Sequence, residues 1–172
     1  EKNQSRIERL NQFTEDLLSH KWMDALTQYG VKDKTDFIGA IQIENDDLEL
    51  TNKEVQVILQ KAVAEGKFPI DNNNVYVIYL SDNTTVKDGF LNITMCVPDN
   101  DNAFGYHSYF ITDKQEEFYY AIIPSLNDDC IGKTCLGSDT CSLKSFHTQE
   151  ERQTQVASHE IAEVLTNPAS VS

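Results

Sequence analysis

Val156-Ala157-Ser158-His159-Glu160-Ile161-Ala162-Glu163-Val164-Leu165-Thr166-Asn167-Pro168 is the stretch on which the reading of this chain turns. Residues four apart on an α-helix stand one above the other on a single face. His159 and Glu163 have that spacing, and Glu160 lies beside them. An imidazole nitrogen and a carboxylate oxygen so placed can hold one zinc ion, with the adjacent glutamate turned toward a water. The pattern is H-E-x-x-H with glutamate in place of the second histidine. The competing reading is a hydrogen-bonded His159–Glu163 pair on an amphipathic helix, with Glu160 merely solvated.

Outward from this stretch, Thr148-Gln149-Glu150-Glu151 forms a capping box that opens the helix, and Pro168 ends it. Residues 104–111 and 117–123 read as two strands of a hairpin across the loop 112–116. Residues 75–80 are apolar without interruption, which predicts a strand buried on both faces. Thr51-Asn52-Lys53-Glu54 is another capping box, opening a helix with Val55, Ile58, Leu59, Ala62 and Val63 on one face and Gly66 as its stop. Residues 37–43 predict a strand, so that strand, helix and the strand 75–80 compose a parallel βαβ unit. A short strand is expected at 90–97. A first helix is expected over 5–28, stopped by Gly30, with Trp22 as a core anchor. This order predicts an α+β fold of zincin-like, metallopeptidase type: a mixed β-sheet packed on an HExxE helix, in one domain spanning 1–172.

Composition narrows the function. Asp and Glu number 28 against 14 Lys and Arg, a net charge of −14, which argues against nucleic acid and anionic membrane surfaces as partners. No apolar run reaches the roughly 20 residues of a membrane span. Cys96, Cys130, Cys135 and Cys141, together with N-x-S/T sequons at Asn3, Asn83 and Asn92, point to a secreted, disulfide-bonded glycoprotein. Cys96 is expected to pair with one of the three later cysteines while the other two close a short loop. The alternative is a zinc knuckle of Cys130, Cys135, Cys141 and His147, although its spacings do not repeat the usual short pairs. The chain starts at Glu1 without a methionine, so a processed or trimmed N-terminus is expected.

Cys96, Gly105-Tyr106-His107, the Tyr119-Tyr120-Ala121 strand, the loop from Cys130 to Cys141, and the Ser158 to Pro168 segment carry a resemblance. Together they resemble the phosphate-induced protein/EXORDIUM family, in particular microbial relatives that keep a histidine-glutamate pair before T-[DN]-P. The resemblance implies a secreted, zincin-like protein and no particular substrate. It also implies a chain continuing beyond Ser172, with further acidic residues and a cysteine. A third metal ligand would then follow the helix or come from His107 or His147. His147 lies about 18 Å along the helix from His159, so His107, on a strand able to flank the helix, is preferred. Its bland reading is a packed strand residue between Tyr106 and Tyr109.

Two further features read as ordinary. His20 is expected to be exposed. The acidic run at Asp99 and Asp101 lacks the glycine and the terminal glutamate of an EF-hand loop, so it reads as a solvated turn. The function expected is that of a secreted zinc-dependent metallohydrolase, a peptidase acting on extended peptide or protein substrates. His159, Glu163 and His107 would be ligands of Zn2+ and Glu160 the general base. The alternative is a non-catalytic extracellular binding protein, associated with cell wall or carbohydrate, on a zincin-like frame.

Overall fold

The computed structural model describes residues 2–31, 35–69, 71–82, 84–89, 93–96, 103–136 and 141–169. The sequons, the acidic run at Asp99 and Asp101, and half of the strand expected at 90–97 lie outside the described residues and side chains; the described half holds the two-residue strand Ile93–Thr94. The chain forms two compact units, Glu1–Glu44 and Asn45–Ser172.

In the first unit, helix α1 (Lys2–Ser19) is followed by a turn and a short helix α2 (Met23–Leu26), which tightens into a 3-10 turn at Thr27–Tyr29. The helix expected over 5–28 is therefore broken. The indole N–H of Trp22 donates at 2.7 Å to the carbonyl of Leu17, which also accepts from the His20 N–H at the helix end. Trp22 is half-buried, and His20 is exposed. Gly30 takes φ 95°, the left-handed cap that ends the unit's helical part. Residues 37–43 form no strand, and Ile38, Ile41 and Ile43 are exposed. The βαβ unit expected across 37–80 is thus not formed: β-branched residues favour extended backbone, but a strand also needs a sheet edge to pair with.

The second unit carries two three-stranded sheets. Strands β1 (Glu49–Leu50), β3 (Thr85–Asp88) and β4 (Ile93–Thr94) form one, in the order β1-β3-β4. Strands β2 (Val75–Tyr79), β5 (Tyr106–Ile111) and β6 (Glu117–Ile123) form the other, in the order β2-β6-β5. The β2–β6 pair is parallel and the β5–β6 pair is the expected antiparallel hairpin, so this sheet is mixed. Its central strand is β6, buried from Tyr120 to Ile123. Residues 75–80 instead lie on a flank and are mostly half-buried, a correction to the expected double burial.

Strand alternation sends side chains to two faces. On one face Tyr76, Tyr106, Phe118, Tyr120 and Ile122 pack with Val55, Leu59 and Val63 of helix α3 (Asn52–Ala64). The capping box Thr51/Glu54 opens that helix as expected. Asn52 in its first turn is buried, and its Oδ1 accepts from the Tyr106 hydroxyl at 2.8 Å and the Tyr120 hydroxyl at 2.6 Å. Burial pushes the Tyr106 hydroxyl far up, keeping it a proton donor. The other face receives helix α5 (Gln149–Thr166), which packs on β6, β5 and β2.

Helix α5 presents Gln153, Val156, Ala157, Glu160, Ile161 and Val164 inward at three- and four-residue steps. The capping box Thr148/Glu151 starts it. Gln153 Nε2 donates to the Pro124 carbonyl at 2.9 Å, and Arg152 Nη1 donates to the Leu126 carbonyl at 3.2 Å and to Asp128 Oδ1 at 2.7 Å. The helix is thereby tied to the chain leaving β6.

Two disulfides join Cys96 to Cys130 and Cys135 to Cys141. Cys130 lies in helix α4 (Asp128–Thr134), and Cys141 precedes a 3-10 turn at Ser142–Ser145. The pairing has the expected form, one long link and one short loop. It removes the zinc-knuckle alternative, because all three of its thiolates are consumed. Two disulfides fit an oxidising compartment. No helix among the described residues is long and apolar enough to cross a membrane.

Candidate metal centre

Three side chains meet where β5 crosses α5. His107, the second residue of β5, points to the α5 face and is 1% exposed. Its Nδ1 lies 3.5 Å from Glu160 Oε2 and 3.4 Å from Glu163 Oε2. Ligand atoms of the three residues all lie within 4.8 Å of one another, a group that can hold a metal ion. Glu160 is buried, whereas the Glu163 side chain is 35% exposed and opens the group to solvent.

The local sequence explains the placement. Glu160 and Glu163 are three apart on one helix and so project from adjacent turns of one face. The hairpin register sets His107 opposite Ala121, the small residue of β6 at that level. Gly105, just before β5, lies where the strand approaches the helix. The helix ends at Asn167, whose N–H donates to the Glu163 carbonyl at 2.7 Å, and whose backbone also bonds the His107 ring. The Thr-Asn-Pro end of the motif therefore braces both sides of the group.

No protein-family model, curated protein or solved structure matches this chain. The chemistry of the group rests on its own geometry.

Three observations bear on whether a metal fits. First, charge-assisted hydrogen bonds between imidazolium and carboxylate close to about 2.7–2.9 Å. The two contacts from Nδ1 are longer than that. Tetrahedral corners about 2.0–2.1 Å from a zinc ion stand about 3.3–3.4 Å apart, close to the observed spacing. Second, Glu160 Oε2 is buried without a hydrogen-bond partner. A buried carboxylate oxygen left open costs free energy unless a cation meets it. Third, the bond between the His107 ring and the Asn167 backbone is the kind of outer support that orients a ligating imidazole. One nitrogen and two carboxylates make a three-ligand set with open positions that suits several divalent cations. The residues fit the ion.

Electrostatics make the group a place for positive charge, whether a metal ion or a proton on His107. Burial pulls the His107 pKa down, but the hydrogen-bonding reach and charge of Glu160, the charge of Glu163 and the Asn167 backbone outweigh it and leave the pKa raised. The pocket attracts positive charge.

His107, Glu160 and Glu163 are thus brought together. His159 is not part of that group: its side chain is 63% exposed, and its Nε2 lies 3.2 Å from Glu163 Oε1, the carboxylate's other oxygen. Glu160, expected as the base, stands among the ligand atoms. His147 is exposed before the helix, its backbone N–H held by Glu151, and takes no part. Beside the group runs a groove walled by Phe104, Leu143, Gln155 and Val156, with His159 at its lip. Sequence reasoning missed this wall because it unites segments far apart in the chain.

Proposed function

We propose that this chain is an extracellular zinc-dependent hydrolase acting on peptides, built on a zincin-like frame related to the EXORDIUM family. The observation that carries the reading is the His107–Glu160–Glu163 group, with contacts too long for closed ion pairs and one buried carboxylate oxygen open. His107, Glu160 and Glu163 would hold the ion. Zinc supplies Lewis acidity there, lowering the pKa of water toward about 7. His159 is the remaining proton carrier beside the group. Its Nε2 lies 3.2 Å from Glu163 Oε1, which orients the ring, so it would take a proton from the attacking water and return it to the leaving amine. The roles expected of His159 and Glu160 are exchanged in this reading. Phe104, Leu143 and Val156 supply an apolar wall that seats a substrate side chain and excludes water.

The test is elemental metal analysis of the purified protein beside His107→Ala and Glu163→Gln, followed by a peptide-library screen with and without chelator. Near-stoichiometric zinc lost in both variants, with chelator-sensitive cleavage abolished in His159→Ala, supports the enzyme. No metal after zinc is supplied would sink it.

The raised pKa of His107 favours a second reading. There an imidazolium between two carboxylates takes the metal's place, and the chain is a non-catalytic binding protein of cell wall or carbohydrate. It requires polysaccharide binding indifferent to chelator.

A further inference from the structure

Gly105 lies two residues ahead of His107, at the point where the strand meets α5. A β-carbon built on it would stand 2.6 Å from Val156 Cγ1, 3.0 Å from Glu160 Oε1 and 3.1 Å from Glu160 Cγ. Real β-carbons essentially never come closer than 3.0 Å to another heavy atom. The backbone does not explain the glycine, because Gly30, Gly39 and Gly66 have positive φ and Gly105 does not. Space is what is needed here. Val156 and Glu160 are four apart, and both are buried on the inner face of α5. Gly105 therefore faces the ridge of the helix that carries the buried ligand.

We propose that Gly105 is a positioning residue for the metal centre. Its missing side chain lets the start of β5 come close enough to α5 for Glu160 to reach His107. The proposal rests on the metal reading and adds a residue to it that binds no ion itself. Any side chain at 105 pushes on two things at once, the Val156 methyl and the Glu160 carboxylate. The Val156 contact is a matter of packing, and the Glu160 contact is a matter of ligand placement. The two can be separated, because Val156→Ala removes Cγ1 and leaves Glu160 untouched.

The experiment compares wild type, Gly105→Ala, Val156→Ala and the double variant. Zinc affinity is read by competition with a chromophoric chelator, and thermal unfolding is read on metal-free protein. Gly105→Ala is expected to lower the metal-free Tm and to weaken zinc binding about 10- to 100-fold, the usual effect of disturbing a ligand's support. The double variant is expected to return to the Tm of Val156→Ala while its zinc affinity stays low. Should Gly105→Ala misfold, the double variant carries the test. Wild-type affinity in Gly105→Ala would overturn the proposal, and so would recovery of affinity together with Tm in the double variant. Wild type that takes no zinc would overturn the centre itself and this role with it, a result distinct from equal binding by both proteins.

Discussion

Asn52 sets the cost of a single polar atom in this fold. Its Oδ1 accepts from two buried tyrosine hydroxyls, so Asn52→Leu strands two donors at once. At about 1–3 kcal/mol for each unsatisfied group, that substitution should destabilise by about 2–6 kcal/mol in urea unfolding. Tyr120→Phe removes one donor and leaves Asn52 bonded to Tyr106, so it should cost far less. His107 gives a pH signature. Its folded pKa is raised above an unfolded value of about 6.5. The stability it contributes is therefore fully present below about pH 6.5 and is lost as pH rises through the folded pKa. Metal-free protein should lose stability on that alkaline side, and Glu160→Gln should flatten the loss. Urea midpoints between about pH 6 and pH 9 in chelator would show it, and identical profiles in the two proteins would refute it. His107 was legible as a strand residue able to flank the helix. That Glu160, and not His159, meets it was not, because this depends on how strand and helix cross.

Helix α5 begins with a capping box, and its N-cap is the cheapest place to loosen the element that carries both carboxylates. Thr148→Ala should cost about 1 kcal/mol and raise hydrogen exchange in the first turn of the helix. The two disulfides differ in weight. Cys96–Cys130 spans 34 residues and Cys135–Cys141 spans 6. Chain-entropy reasoning gives about 4 kcal/mol for the longer link and about 2 kcal/mol for the shorter. Replacing each pair by serines should lower the unfolding midpoint in that order. Both capping boxes, the hairpin and the helix through His159 could be read directly, because caps and periodicity are local. Residues 37–43 misled for the opposite reason. Their composition favours a strand, but no local signal says whether a sheet edge will be there. The strand 75–80 misled similarly, since apolar continuity does not say on which side of β6 it will lie.

At the scale of the whole chain, the metal reading predicts a ligand-linked gain. Zinc at 100 times its Kd should add about 2.7 kcal/mol, a shift absent from Glu163→Gln in the same thermal scan. All three members of the group lie in the second unit, and residues 38–49 between the helices of the first and α3 are exposed. Limited proteolysis of the full chain within that stretch should leave a fragment with both disulfides and unchanged zinc affinity. Loss of affinity on cleavage would show that residues 1–44 contribute. The excess of acid over base was visible from the outset; where it converges was not. A last consequence follows from the turn between β5 and β6, closed by Thr112 N–H to Glu116 O and Gln115 N–H to Thr112 O. This turn acts as a ruler. It fixes Ile111 against Glu117 and so, four rungs away, His107 against Ala121. One inserted residue would shift the ladder by a rung and offer the helix Tyr106 or Ser108 instead of an imidazole. Apart from Gln115, at φ 62°, and the Thr112 hydroxyl that accepts from the Glu116 N–H, the turn is held to its length more than to its letters, and kin of this chain are best sought by the count of residues between that histidine and that alanine.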